Sequence, residues 1–370
     1  MTPLHILKNP KARRIFSIQS FHGSIAMTTT HTDYAGNAIQ AFAAMQRGQA
    51  LQPYEYVPNP LDAMGCEIRI THCGMCHTDL HLINNDFGFS SYPFVPGHEI
   101  AGVVSQVGAE VTGLRLGQRV GVGWLAGACL ACEQCVAGHD NLCPKWQPTC
   151  VGREGGYETH IRVDSRFAFP LPNNLASEFA APMFCGGITV FAPLIRHGIA
   201  GPSRLGVIGI GGLGHVALQF GRALGCHVIA FSTSAAKAAE AERFGANDFV
   251  DTSRPGALSA YASSCDFLMS TVTADIAWGD YVQVLRPGGK LCIVGVPEHE
   301  VRIPPLPFII GQKSLVSGCV GSRSEIQNML EFAARHQIKP QIELFPMHEA
   351  NRALDRLRRN DVRYRAVLVN

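Results

Sequence analysis

The sequence contains no uninterrupted apolar run of about 18 residues, the length that reads as a membrane-spanning helix, so no transmembrane segment is expected. It is also poor in charge. Only 16% of residues are Asp, Glu, Lys or Arg, and the net charge is +2. That balance leaves no basic footprint for nucleic acid, and no basic amphipathic helix is present for a membrane surface. Internal repeats and low-complexity tracts are absent, which argues against a repeat array or a disordered chain. The first residues lack an apolar stretch long enough for a secretory signal, so a cytoplasmic protein is expected. Residues 1–26 contain no acidic side chain but include Lys8, Lys11, Arg13 and Arg14. This is the composition of an organellar transit peptide or of a start codon placed too early. The second is favoured because Met27 opens a polar lead-in, Met27–Thr30, and residues 1–26 are set aside from the fold.

What is present points to a globular chain. Hydrophobic residues make up 46% of 370 residues, too long a chain for one core, and two domains are expected. Thirteen cysteines are an odd number, and four fall between Cys129 and Cys143. Metal-bound thiolates in a reducing compartment fit that crowding better than a disulfide framework. From Ala38 to about residue 172 the text reads as short strands with glycine and proline turns. Within it Cys66–Ile70 alternates as a half-buried strand would. Leu175–Ile199 reads as interrupted helix. Strand, helix and strand then alternate from Leu205 to Ser317, the pattern of a parallel sheet. After Ser322 come a helix, a strand near Gln341–Phe345, a second helix and a closing strand over Tyr364–Val369.

Gly209-Ile210-Gly211-Gly212-Leu213-Gly214 fits G-x-G-x-x-G, directly after an apolar strand and opening a helix. Such a turn brings backbone close to a pyrophosphate and holds it at the helix N-terminus. The next strand ends at Phe231, followed by Ser232, Thr233, Ser234 and Lys237 rather than by a carboxylate. Hydroxyls and an ammonium suit a 2′-phosphate, so NADP(H) is expected over NAD(H). Ser232 could also simply cap the next helix, and both roles are compatible.

Cys129, Cys132, Cys135 and Cys143 are spaced C-x2-C-x2-C-x7-C. Four thiolates on one loop close a tetrahedral zinc site of the structural kind. An iron–sulfur cluster is the competitor, but its last interval is three residues, not seven. A catalytic zinc would need three further ligands and one open position. Cys76, His98 and Cys185 are candidates, yet they lie far apart, and spacing does not choose Cys76 over Cys73.

The ordered set Cys73–Asp79, Gly97-His98-Glu99, the four-cysteine loop and Gly209–Gly214 resembles the zinc-containing medium-chain dehydrogenases. Cys185–Val190, Ser232–Ser234 with Lys237, and Asp361–Arg365 are similar to their NADP(H)-dependent, cinnamyl-alcohol-dehydrogenase-like branch. The resemblance covers about residues 36–370. It implies a GroES-like β-rich catalytic domain over 27–184 and 322–370, and a Rossmann doubly wound parallel-sheet domain over 185–321, commonly as a homodimer. It implies two Zn2+ per chain, one structural and one catalytic, the latter held by Cys76, His98 and Cys185 with Glu99 as an alternative ligand. Asp79 would orient the histidine. Thr78 would take the substrate proton and His81 would carry it to solvent; His77 would lie near the pyrophosphate and Thr189 near the nicotinamide. The expected reaction is hydride transfer between NADP(H) and a small primary alcohol or aldehyde, aromatic or medium aliphatic, run as aldehyde reduction. An NAD-dependent polyol dehydrogenase and a catalytically silent NADP(H)-sensing protein are the alternatives. Trp124 and Cys319 depart from the plant members and put a phenylpropanoid substrate in doubt.

Overall fold

The computed structural model describes residues 38–370, so the expectations for residues 1–26 lie outside the described residues. The chain starts with the antiparallel hairpin β1 (Ile39–Ala44) and β2 (Leu51–Tyr56). Then come β3 (Gly65–Met75), α1 (His77–Ile83), β4 (Glu99–Val107) and β5 (Arg119–Val122). The short strands β6 (Leu125–Gly127) and β7 (Gln147–Pro148) bracket α2 (Glu133–Val136), and β8 (His160–Asp164) and β9 (Phe169–Pro170) follow. The helical passage contains α3 (Ser177–Ala180) and α4 (Gly186–Arg196).

The alternating part comprises β10 (Arg204–Ile208), α5 (Gly214–Ala223), β11 (His227–Ser232), α6 (Ala238–Arg243) and β12 (Asp248–Asp251). It continues through β13 (Cys265–Ser270), α7 (Trp278–Val284), β14 (Leu285–Ile293), α8 (Pro305–Gly311) and β15 (Ser314–Ser317). The chain closes with α9 (Arg323–His336), β16 (Ile342–Pro346), α10 (Ala350–Arg358) and β17 (Arg365–Val369).

Two large sheets result. The first has the order β16-β17-β3-β4-β5-β9, with β8 also on β3, so the last strands return to the first sheet. The second is parallel, in the order β12-β11-β10-β13-β14-β15. Strand order reverses at β10, and the crevice beyond the strand ends at such a reversal is where a dinucleotide binds. Continuous burial along β10 and β11 is what helices on both faces of a parallel sheet require. One buried cluster joins α4, α5 and α9 to β10 and β13; another fills the first sheet. A capping box starts α9, with Ser322 Oγ accepting the Glu325 N–H and the Glu325 carboxylate accepting the Ser322 N–H.

Three local expectations change. The alternation over Cys66–Ile70 predicts a half-buried strand, but β3 has sheet neighbours on both sides and only Arg69 is exposed. Glu67 is buried there because Arg162, its register partner on β8, neutralises it at 2.8 Å. Helix α1 interrupts the strand-and-turn region, stabilised locally because the Asp79 carboxylate accepts the Cys76 N–H at 2.9 Å. Helix α8 also escapes the sequence reading; none of its residues is fully buried, and Phe308 packs half-buried against the cluster of α7 and β14. Among the described residues no single helix is long and apolar enough to cross a membrane.

Candidate metal and cofactor sites

Cys76 ends the turn after β3, His98 immediately precedes β4, and Cys185 precedes α4. Folding brings one ligand atom from each, and a carboxylate oxygen of Glu99, within 4.8 Å of one another. Cys76 Sγ stands 3.2 Å from His98 Nε2. A sulfur and a nitrogen on one tetrahedral zinc would lie about 3.5 Å apart, so the donors are spaced for a shared ion. His98 Nδ1 faces Asp79 Oδ1 at 3.1 Å, so Nδ1–H donates to that carboxylate and Nε2 is left to offer its lone pair. Asp79 is fully buried and also accepts the N–H groups of Cys76 and Gly97 and the Tyr157 hydroxyl. Cys73 stays apart: burial pushes its thiol well up, and it lies outside the donor set.

The electrostatics fit a cation. Hydrogen bonding from Cys185 holds the Cys76 thiol well below its usual range, despite burial, while the same bond, with burial, raises Cys185. Burial acts to lower His98, but the Cys76 and Asp79 charges outweigh it and raise it. Burial pushes Glu99 up to about 7 against the pull of Arg365. Arg365 at the head of β17 donates to Glu99 Oε1, whereas Oε2 is buried without a partner among the described residues. Gly74 faces Glu99 across the β3–β4 register, and a Cβ there would stand 2.0 Å from that orphaned oxygen. The glycine of Cys73-Gly74-Met75-Cys76 thus makes room for a metal-site carboxylate.

The four cysteines of the loop around α2 also converge within 4.8 Å. Cys129 Sγ lies 3.5 Å from Cys143 Sγ and 3.9 Å from Cys135 Sγ. Two sulfurs on a tetrahedral zinc stand about 3.8 Å apart. The backbone N–H groups of Ala131 and Cys132, the largest influences, bring Cys129 down to about 6. The loop docks on the start of α9, where Asp140 accepts the Arg323 N–H at 3.2 Å.

On the parallel sheet, Gly209 has φ +86° and turns the chain from β10 toward α5. Gly214 is obligatory, since a Cβ would meet Gly209 O at 1.9 Å, whereas Gly211 faces open space. Gly212 lies against Arg365, and Leu213 precedes the helix. Ser232 ends β11 nearly buried, its Oγ accepting the Ser234 N–H at 3.2 Å, while Thr233 is exposed. Lys237 Nζ reaches back to Ile210 O at 2.6 Å, which puts its charge beside the glycine turn. Thr189 is buried one turn into α4. Thr78 and His81 lie three residues apart on α1, on one helical face, with His77 exposed at its start.

Sequence reasoning missed four residues. Asp86 holds His81 Nδ1 at 2.9 Å, and Tyr157 reaches Asp79 at 3.4 Å. Arg365 was visible only as part of a motif, and Gly74 only as a turn residue. Trp124 meets His98 edge-on at 5.1 Å with Trp146 beyond it at 6.0 Å, so the departure at 124 is an aromatic wall beside the donor set.

Comparison with known proteins identifies the family. Residues 63–173 match the alcohol dehydrogenase GroES-like domain, and residues 212–335 match the zinc-binding dehydrogenase family. Aldehyde reductase AdhA of Synechocystis sp. is 41% identical over 89% of this chain and 98% of its own. A cinnamyl alcohol dehydrogenase structure from Sorghum bicolor is 36% identical with TM-score 0.86, over 90% of this chain and 98% of its own. The CAD structure from Helicobacter pylori, a complex with NADP(H), is 27% identical with TM-score 0.82, over 90% of this chain and 98% of its own. The chain belongs to the zinc-binding, GroES-like alcohol dehydrogenases. It is an oxidoreductase of the alcohol and aldehyde class, built as a GroES-like β-rich part and a Rossmann sheet.

Proposed function

We propose that the chain is an NADP(H)-dependent aldehyde reductase acting on small aromatic or medium aliphatic aldehydes. The reading is carried by the convergence of Cys76, His98 and Cys185 beside a glycine turn whose next strand ends in serines and a lysine. Bound at these sites, zinc supplies a Lewis acid for the substrate oxygen, and NADP(H) supplies or accepts the hydride. The residues do the rest. Asp79 fixes the His98 ring, and the Arg365–Glu99 pair holds a carboxylate behind the donors without cancelling them. Thr78 exchanges a proton with the substrate hydroxyl, and His81 relays it toward solvent because Asp86 fixes its Nδ1 and both side chains are partly exposed. His77 and Thr189 flank the cofactor, at the pyrophosphate and the nicotinamide. Trp124 and Trp146 favour a flat or extended apolar substrate.

The same proposal assigns a second zinc to Cys129, Cys132, Cys135 and Cys143, and divides the chain at 184/185 and 321/322. A reducing compartment, the cytoplasm, suits thirteen unpaired thiols. The assembly is a homodimer formed along β15. That strand ends the parallel sheet, and Leu315 with Leu306, Ile309 and Ile310 leaves an exposed apolar margin beside it. Pairing with a second copy would satisfy the edge and bury that margin.

A panel of aromatic, aliphatic and sugar aldehydes with NADPH and NADH tests this. Turnover of simple aldehydes with NADPH, at least about tenfold better than with NADH, is expected, with a Lys237→Ala variant losing most of that preference. Turnover confined to polyols with NAD, or none at all, would overturn the reading. Light scattering on the same preparation should give twice the chain mass; the mass of one chain would remove the dimer.

A further inference from the structure

Around Tyr364 two parts of the chain meet. The ring stacks on His215 of α5 at 4.9 Å, and its hydroxyl donates to Glu240 of α6 at 2.5 Å. Arg363 donates to both oxygens of the same carboxylate, Nε at 3.2 Å and a terminal nitrogen to the other. Its guanidinium carbon lies 5.2 Å from the Tyr364 ring centre, and Lys237 Nζ lies 5.6 Å from it. Arg243 completes the group at 3.7 Å from Glu240. Nearby Glu343 and Asp361 are both taken by Arg356, although Glu343 also accepts the Arg363 backbone N–H. Lys237, Arg243 and Arg363 are thus set against the single carboxylate of Glu240. Lys237 bonds only a peptide oxygen, and Arg363 is 51% exposed.

Such a cluster is short of negative charge beside the serines that end β11. We propose that Arg363, supplied from the segment ahead of β17, is the second cation of the 2′-phosphate site and exchanges Glu240 for the phosphate when the phosphorylated cofactor binds. This rests on the NADP(H) reading above. The chemistry is a competition for one guanidinium. A phosphate offers more charge and the bidentate geometry that arginine prefers, so it displaces the carboxylate from a half-exposed guanidinium. A ribose 2′-hydroxyl cannot, and with NAD(H) Arg363 stays on Glu240. The discrimination therefore comes from two parts of the chain: Lys237 follows β11 of the parallel sheet, whereas Arg363 adjoins a strand of the first sheet.

The pair makes the proposal testable, because its two halves should act with opposite signs. Using the full chain loaded with zinc, calorimetry with 2′,5′-ADP and 5′-AMP isolates the phosphate, and fluorescence titration with NADPH and NADH repeats the comparison. Arg363→Gln should weaken 2′,5′-ADP by about 10- to 100-fold, the range for hydrogen bonds to a charged group, and leave 5′-AMP within about twofold. Glu240→Gln frees Arg363 and removes a like charge, so 2′,5′-ADP should tighten by about 2- to 5-fold. A structural latch between the two parts would behave otherwise: both variants would weaken both ligands and lower the melting temperature together. That result, or an Arg363→Gln variant that keeps wild-type affinity for 2′,5′-ADP, overturns the proposal while leaving the cofactor reading intact. If the wild type itself binds 2′,5′-ADP no better than 5′-AMP, the cofactor reading fails and this assignment falls with it.

Discussion

The two sulfur clusters of this chain are built by opposite strategies. Cys129, Cys132, Cys135 and Cys143 come from one loop, and their sulfurs accept backbone N–H bonds from that loop, including the Cys132 N–H to Cys129 and the Lys145 N–H to Cys143. Cys76, His98, Glu99 and Cys185 come from three separate stretches and meet only because the sheet holds the first two stretches and α4 delivers the third. The first cluster has all four donors alike and leaves no position for substrate. The second mixes two sulfurs, an imidazole and a carboxylate whose outer oxygen lacks a partner among the described residues. Local closure suits a staple; distant convergence suits a centre whose ligands must be oriented individually.

Breaking one ligand in each cluster is the sharpest way to test that contrast. Cys76→Ser or His98→Ala should remove several kcal/mol of transition-state stabilisation, about 10³-fold or more in turnover, while the protein stays folded. Cys143→Ala should instead lower the melting temperature by about 5–10 °C, with activity falling in step with the folded fraction. Metal analysis should read a loss of about one zinc in each case; equal melting behaviour in the two variants would erase the distinction.

A finer version uses glycines. Gly74→Ala drives a methyl to 2.0 Å from Glu99 Oε2, so the carboxylate must leave its place against Arg365. Overpacking of this kind costs about 1–3 kcal/mol, and turnover should fall by about tenfold. Gly138→Ala, in the cysteine loop, meets nothing within 4 Å but has φ +81°. It should cost only about 1 kcal/mol of stability and leave turnover unchanged, as steady-state kinetics beside urea melts can show.

The smallest expected effect is a pH slope from a residue that belongs to neither cluster. His215 is fully buried, donates from Nδ1 to Gly211 O at 2.8 Å and accepts the Gln341 N–H at 3.0 Å. Burial takes its pKa from 6.5 down to about 3. Between those values the unfolded chain binds the proton and the folded one does not, so stability falls as pH drops below 6.5. The slope is about 1.4 kcal/mol per pH unit for this one group. Urea midpoints from pH 7 to pH 4 should therefore fall less steeply for His215→Asn than for the wild type. Parallel curves would mean that His215 is protonated in the fold.

Sequence reasoning reached whatever was encoded locally. The cysteine spacing, the glycine turn and the serine–lysine run after β11 all lie within short windows. The Cys76, His98 and Cys185 set had no local signal and came only through resemblance. Gly74 and Arg365 were legible as letters but not as parts of one site, because Gly74 acts through the β3–β4 register and Arg365 through the return of β17 to β3. The buried Glu67–Arg162 pair also hid β3, whose alternating text suggests one wet face. Helix α8, with no fully buried residue, offered no periodic signal to detect.

Strand β17 lies between β16 and β3, and it is made of the last residues of the chain. The four-sulfur loop bonds within itself, whereas the sheet that carries Cys76 and His98 is completed by a strand from a distant part of the sequence. Removing β17 should therefore disturb the Cys76–His98 arrangement, through β3 and the Arg365–Glu99 pair, far more than the self-bonded four-sulfur loop.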